Sequence, residues 1–423
     1  MDEMWSNCED KEMRSELFVT PAAKLTQALK RAEIFIGEKE TYKAHRELIQ
    51  CTALARIVYG HWHWRTAQAH AHLAHSYLTL QGMSWSGQEK QKDNGNLTSG
   101  LPVQAIQHAN SAKCTIFKGE GTPSSSSEER REILSTLLTI YYTLGVAEWM
   151  RKNGKESYGN LQKAERIMED LQGSGWRGTP QLKVSERDLS AALGRASLQQ
   201  NKLMMAVKHF EKAIDAVISA EGETAPELIS LYQEIAQVEQ MKKNHKKCIG
   251  YLLQAHSVAL AVGKKCSPEA ASIALLLGKA YAATGEEKHG EAAEMYFRES
   301  LATYKVALGP DHPQMIDALE EFSKWLICVG KREQAYDLLK ESFESQSDPC
   351  SDFNEKAAER FYIMGCICLA EENMREAYQL LSKCVQIQTA VYGPRHRKSK
   401  EIQKLLDMLK MSPGVLEGTK PMK

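Results

Sequence analysis

The chain has 423 residues and a mass of 47.5 kDa, which is room for two to four ordinary domains or one long repeat array. Fifty-four lysines and arginines balance fifty-four acids, so the formal net charge is zero, which argues against a protein whose main work is gripping nucleic acid or an anionic membrane. With 43% apolar residues, 26% charged ones and only 12 prolines, the composition is that of a folded, mostly helical, soluble chain.

Residues 1–20 hold six acids against two bases and no apolar core of a signal peptide, so a flexible acidic N-terminus is expected. No window offers the roughly 18–20 uninterrupted apolar residues of a spanning helix, and no membrane insertion is expected. The ten cysteines, at 8, 51, 114, 248, 266, 328, 350, 366, 368 and 384, fit reduced packing thiols in a cytoplasmic protein.

From residue 21 one pattern recurs along the chain. Ala32 is followed by Ala44, Leu48 and Cys51, and Leu73-Ala74 by Ala105, Ala109 and Ala112. Leu144-Gly145 leads to Ser157, Leu161 and Ala164; Leu193-Gly194 leads to Ala206, Phe210 and Ala213. Ile235-Ala236 is followed by Cys248, Leu252 and Ala255, and Leu277-Gly278 by Ala293, Phe297 and Ser300. Phe322-Ser323 precedes Ala335, Leu339 and Ser342, and Met364-Gly365 precedes Ala377, Leu381 and Cys384. The small anchors 32, 74, 145, 194, 236, 278, 323 and 365 are spaced 42, 71, 49, 42, 42, 45 and 42. Spacings of four and three put the second set of residues on one helical face, and the small residues let two helices approach around the larger one.

This is the tetratricopeptide pattern, in which helix A carries the small pair and helix B the Ala-x3-Phe-x2-Ala face. The usual unit is about 34 residues; here each helix B gains two turns, as in kinesin light chain-like arrays. The fold expected is an all-α right-handed superhelical solenoid of tetratricopeptide-type helix pairs with a period near 42 residues. Repeats 1–2 occupy 21–117, with a polar Gly/Ser/Asn-rich insert at 83–100 that accounts for the spacing of 71. A linker at 118–127 separates them from repeats 3–8 at 128–393. Turn signatures stand at Tyr59-Gly60-His61-Trp62, Leu308-Gly309-Pro310-Asp311-His312-Pro313 and Tyr392-Gly393-Pro394-Arg395-His396, where glycine is expected to end a helix in the left-handed conformation. Residues 394–411 read as a C-terminal capping helix and 412–423 as a flexible tail.

The segments Val184–Leu198, Leu253–Ala259 and Ile387–His396 resemble the tetratricopeptide repeat protein 23 family, and the resemblance runs over roughly Thr20 to Met411. It implies a non-enzymatic scaffold of the cytoplasm and cytoskeleton, at the centrosome, spindle and midbody, or cilium. The insert at 83–100 departs from the family pattern.

Counting each small anchor as position 8, positions 2, 5, 6 and 9 of helix A should line a concave groove suited to a peptide or helix. Repeat 2 offers Gln68, Ala71, His72 and His75; repeat 4 offers Asp188, Ala191, Ala192 and Arg195; repeat 5 offers Ser230, Gln233, Glu234 and Gln237. Position 6 through the array is Lys30, His72, Thr143, Ala192, Glu234, Leu276, Glu321 and Ile363. None is the asparagine of carboxylate-clamp repeats, so a chaperone co-factor is not expected. A basic stretch at the far end, Arg395, Arg397, Lys398 and Lys400, could touch an acidic protein or simply be solvated. It lacks the interleaved aromatics of single-strand nucleic-acid binders.

His61, His63, His70, His72 and His75 form the most enzyme-like cluster, and His72 and His75 lie one helical turn apart. No acid or cysteine stands at matching spacing, so groove and packing roles are the better reading; Cys366 and Cys368 likewise read as packing residues. Ser126 and Ser127 before Glu128-Glu129 read as a helix cap rather than a modification site. There is no phosphate loop, dinucleotide loop, GxSxG or HExxH, so no catalytic residue, cofactor or metal is assigned. Two other readings stand beside the scaffold. The period near 42 also suits a motor-cargo adaptor, although residues 1–20 are too short for the heptad coiled coil of kinesin light chain. A metal-binding enzyme built on the His61–His75 cluster is the third.

Overall fold

The computed structural model describes residues 20–38, 40–79, 101–119, 126–173, 184–263, 266–344 and 354–410. The insert at 83–100, most of the N-terminal segment and of the 118–127 linker, and the 412–423 tail lie outside them. The chain divides into two compact units, 1–223 and 224–423. In the N-terminal unit the helices are α1 (Pro21–Gly37), α2 (Thr41–Tyr59), α3 (Trp64–Thr79), α4 (Leu101–Lys118), α5 (Ser127–Met150), α6 (Gly154–Gly173), α7 (Glu186–Gln199) and α8 (Leu203–Glu221). The C-terminal unit has α9 (Glu227–Met241), α10 (His245–Ala261), α11 (Pro268–Ala282), α12 (Gly290–Leu308), α13 (Pro313–Cys328), α14 (Arg332–Glu344), α15 (Glu355–Ala370), α16 (Met374–Tyr392) and α17 (Arg397–Lys410). Odd-numbered helices are A helices and even-numbered ones B helices. Among the described residues there is no β-strand.

The most extensive contacts are within the pairs, as the repeat frame requires, except that α13 and α14 meet less extensively than some helices of successive pairs do. Gly194 shows why the anchor must be small: a Cβ there would stand 2.8 Å from the Phe210 ring. At Gly145 the same atom would come within 2.5 Å of Leu161 Cγ. Phe210, Leu161, Leu339 and Leu381 are fully buried, and each contributes about 1.5–3 kcal/mol by leaving water. Ser342, the last residue of its frame, is only half-buried; its hydroxyl donates to Leu339 O (2.6 Å) and accepts from Arg360 Nη1 (3.0 Å).

Turns repeat as regularly as the anchors. Seven residues after an anchor the chain passes through positive φ, at Lys152 (64°), Asn201 (57°), Lys243 (59°), Gly285 (67°), Gly330 (82°) and Glu372 (61°). Between repeats, Gly60, Gly309 and Gly393 take φ of 91°, 89° and 88° with ψ of 167°, 167° and 160°. The expected left-handed helical cap is therefore not what these glycines make. Their extended ψ places them in a region open to little but glycine, which turns the chain sharply into the next helix A.

Helix α5 is the one described helix long and apolar enough to cross a membrane, a property the search for uninterrupted apolar runs did not reveal. Its most apolar window is 61% buried, because α3, α4, α6 and α7 all pack against α5. Its N-terminus is capped by Ser126, whose Oγ accepts from Glu129 N at 3.2 Å. At the other end of the chain, α17 buries Ile402, Leu406 and Leu409 against the core while Gln403, Asp407 and Lys410 face outward.

Candidate interaction surfaces

In the N-terminal unit the A helices crowd together. On α3, Gln68, His72 and His75 share one face, and all three are half-buried. Gln68 Nε2 donates to Glu132 Oε2 at 3.4 Å, and one turn earlier Trp64 Nε1 donates to Glu129 Oε1 at 2.7 Å, both across to α5. The His75 ring lies 5.9 Å from that of Tyr142. Burial pushes the Tyr142 hydroxyl well above its ordinary range; Asp188 adds to the effect, and Arg195 and Arg187 oppose it. The structure thus gathers His75, Asp188 and Arg195 around one buried tyrosine. Asp188 is also spent locally. Its carboxylate accepts from Ser185 Oγ (2.6 Å) while its own N–H donates to that hydroxyl (3.1 Å), closing a cap on α7.

An open trough does not run along this face. Thr139, Tyr142, Thr143 and Val146, the groove positions of α5, are all buried, as are Ala71, Ala191 and Ala192 on its neighbours.

The five histidines do not form one site. His63 is a helix cap: its Nδ1 accepts from Arg65 N (3.1 Å), and its ring stacks between Tyr59 (5.3 Å) and Trp64 (5.8 Å). His312 Nδ1 accepts from Gln314 N and His396 Nδ1 from Lys398 N, both at 3.3 Å. The signal that finds all three is Gly-x-x-His at 60/63, 309/312 and 393/396; the turn signatures include His312 and His396 and stop one residue short of His63. His70 pairs not with its sequence neighbours but with His108 of α4, Nδ1 to Nδ1 at 3.3 Å. Tyr77 and His45 continue that stack, and His61 packs edge-on against Trp62. Burial, with His108, His61 and Arg56 nearby, pushes His70 down to about 4. Among the described residues no group of three or more His, Cys, Asp or Glu side chains is placed to hold a metal. Burial raises the thiols of Cys366 and Cys368, the latter to about 11, as suits packing residues.

The C-terminal unit differs. None of the groove positions of α9 (Ser230, Gln233, Glu234, Gln237), α11 (Ser272, Leu275, Leu276, Lys279) or α13 (Asp317, Glu320, Glu321, Lys324) is buried. Ion pairs cross this face from helix to helix: Lys279 to Glu321 at 2.8 Å, and Lys356 of α15 to Asp317. Lys324 reaches Glu321 within its own helix at 3.7 Å.

The basic stretch at 395–400 is partly neutralised. Arg397 pairs with Glu401 (2.7 Å), and Lys398 pairs with Glu355 (2.9 Å) while lying over the Tyr392 ring. Arg395 and Lys400 are exposed.

A family model described as tetratricopeptide repeat matches residues 271–314, from α11 to the start of α13. Tetratricopeptide repeat protein 23-like of Mus musculus is 43% identical over 92% of this chain and 80% of its own length. Tetratricopeptide repeat protein 23 of Homo sapiens is 31% identical over 96% of this chain and 86% of its own. Among solved structures, the apo form of RapI superposes with a TM-score of 0.53 at 8% identity, covering 91% of this chain and 97% of that one, which shows a shared fold. Helix pairs, repeat frame and relatives agree, and the chain belongs to the tetratricopeptide repeat protein 23 family.

Proposed function

We propose that this chain is a protein–protein interaction scaffold of the centrosome and microtubule cytoskeleton, acting at the spindle, midbody or cilium and performing no chemistry of its own. The observation that carries the binding half of this reading is the accessible A-helix face of the C-terminal unit, polar and of mixed sign around the Leu275–Leu276 pair. A face of that kind suits a peptide or a helix laid across successive repeats. The cellular address rests on the family resemblance.

Proximity labelling from the tagged full-length chain, in dividing and in ciliated cells, tests both halves. Centrosomal or ciliary proteins should be enriched, and a Leu276→Glu, Lys324→Glu variant should lose them while a His72→Glu, His75→Glu variant serves as the comparison. A diffuse profile that neither variant alters would overturn the address and the surface together.

A further inference from the structure

Within the accessible face of the C-terminal unit, two carboxylates stand apart from the rest. Lys279 is committed to Glu321 and Lys356 to Asp317, and Lys324 also leans toward Glu321. Glu320, on the same helix as Asp317 and Glu321, has no ion pair among the described residues, and its enclosed Oε1 accepts no hydrogen bond from the protein. Glu359 of α15 lies within electrostatic range of Glu320 and likewise forms no ion pair among the described residues. The groove positions of the same unit also include the half-buried Leu275 and Leu276 of α11, and Tyr362 of α15 with 37% of its surface exposed.

A carboxylate oxygen held away from water without a donor is costly to leave unmatched. The lysines close enough to relieve it are engaged elsewhere. What the face lacks is one more cation.

We propose that this face takes a partner segment that sets apolar side chains on Leu275 and Leu276 and a lysine or arginine against Glu320 and Glu359. The inference rests on the scaffold reading and names the chemistry of its partner: a basic, amphipathic stretch of protein. An ammonium or guanidinium laid there offsets the like charges of Glu320 and Glu359, while the leucines supply apolar contact without regard to sign.

The arrangement also fixes a pH dependence. Facing Glu320 are Lys324 and Asp317 from its own helix and Lys356 and Glu359 from α15. Burial outweighs the lysines and pushes its carboxyl up to about 7. The free face therefore holds a proton near neutrality, and a basic partner displaces it. Affinity should rise as pH goes from about 6 to about 8.

The test is fluorescence anisotropy on the full chain with a labelled Leu/Lys amphipathic peptide and a Leu/Glu peptide of the same length. The Leu/Lys peptide should bind the more tightly, gaining affinity several-fold between pH 6 and pH 8. The E320Q/E359Q variant, isosteric and checked for folding by its thermal melt, should lose about tenfold in affinity and most of the pH dependence. An E291Q/E333Q variant, which removes two exposed charges from the B helices α12 and α14, should behave as the parent. Equal binding of the two peptides, binding of neither, or an affinity and pH profile unchanged in E320Q/E359Q would overturn the inference. Should Leu276→Glu still abolish cellular capture under any of those results, the scaffold reading survives and only the basic partner falls.

Discussion

The two units are built on one repeat frame yet treat the same face of helix A in opposite ways. On α3, α5 and α7 of the N-terminal unit, positions 5 and 6 are Ala71 and His72, Tyr142 and Thr143, Ala191 and Ala192; on α9, α11 and α13 of the C-terminal unit they are Gln233 and Glu234, Leu275 and Leu276, Glu320 and Glu321. Ala71, Thr143, Ala191 and Ala192 let α3, α5 and α7 close on one another, with Tyr142 buried among them. Longer side chains keep the face of the other unit accessible and bridge it with ion pairs. The anchors therefore determine how A packs on B, and positions 5 and 6 determine whether a surface is left over. Histidine titration separates the units as well: His45, His63, His70, His108 and His209, all pushed down by burial, belong to the N-terminal unit. Burial raises a carboxyl in each, Glu165 in the N-terminal unit and Glu320, up to about 7, in the other.

The largest effect should come from the aromatic residue that fills each anchor. Phe210→Ala should cost about 3–5 kcal/mol, and Phe297→Ala a similar amount. Hydrogen exchange should place the loss around α7 and α8 in the first case and around α11 to α13 in the second, since repeat arrays are stabilised by neighbours. Exchange that rises evenly over the whole chain would erase the distinction between the units.

Acid should divide them next. A histidine whose folded pKa is depressed leaves stability intact above the unfolded value near 6.5 and loses it as pH falls toward the folded value, about 4 for His70 and His209. Allowing for their partial exposure, each should weaken the N-terminal unit by about 1 kcal/mol at pH 5. Glu320 works with the opposite sign. Its raised pKa means stability is complete below the unfolded carboxylate value and is lost as pH rises through about 7. Accordingly, Glu320→Gln should stabilise the C-terminal unit by about 1 kcal/mol at pH 8 and by much less at pH 5, as read from denaturant midpoints. A shift of equal size at both pH values would show that charge at Glu320 is not the cause.

The smallest changes concern the turns. Gly330→Ala, forced to keep a φ of 82°, should cost about 1 kcal/mol, while Glu372→Gly should be neutral or gain about 0.5–1 kcal/mol. Thermal melts of the two variants check both signs.

The frame was readable because it rests on volume: a small residue facing a large one, repeated at fixed intervals, leaves a pattern in composition. Anchor, partner and period are all visible in Leu193-Gly194 with Phe210. The turn residues Lys152, Asn201, Lys243 and Glu372 were not, because their conformation is imposed by the helices on either side and their side chains do not advertise it. His63 reads in the sequence as one of five groove or packing histidines, because imidazole is seldom a helix cap. Only the shared distance from a glycine exposes its role. Closure of the N-terminal face depends on how near α3, α5 and α7 lie to one another, a distance that no single helix encodes.

Helix α17 enters as α3 does. A Tyr-Gly-x-x-His turn stacks the histidine on the tyrosine at 4.7 Å, a cation lies over that ring, and a hydroxyl six residues after the glycine donates to its carbonyl (Ser399 Oγ to Gly393 O, 3.1 Å; Thr66 Oγ1 to Gly60 O, 2.7 Å). What differs is position 8, where α3 has Ala74 and α17 has Asp407, exposed between Gln403 and Lys410. A stack of interchangeable modules has no inherent length, and an apolar end would accept the start of another molecule and grow into a filament. Asp407 leaves α17 without the small seat on which a further helix B would pack, so the side chain that looks least suited to its place in the repeat is the one that sets α17 apart from α3.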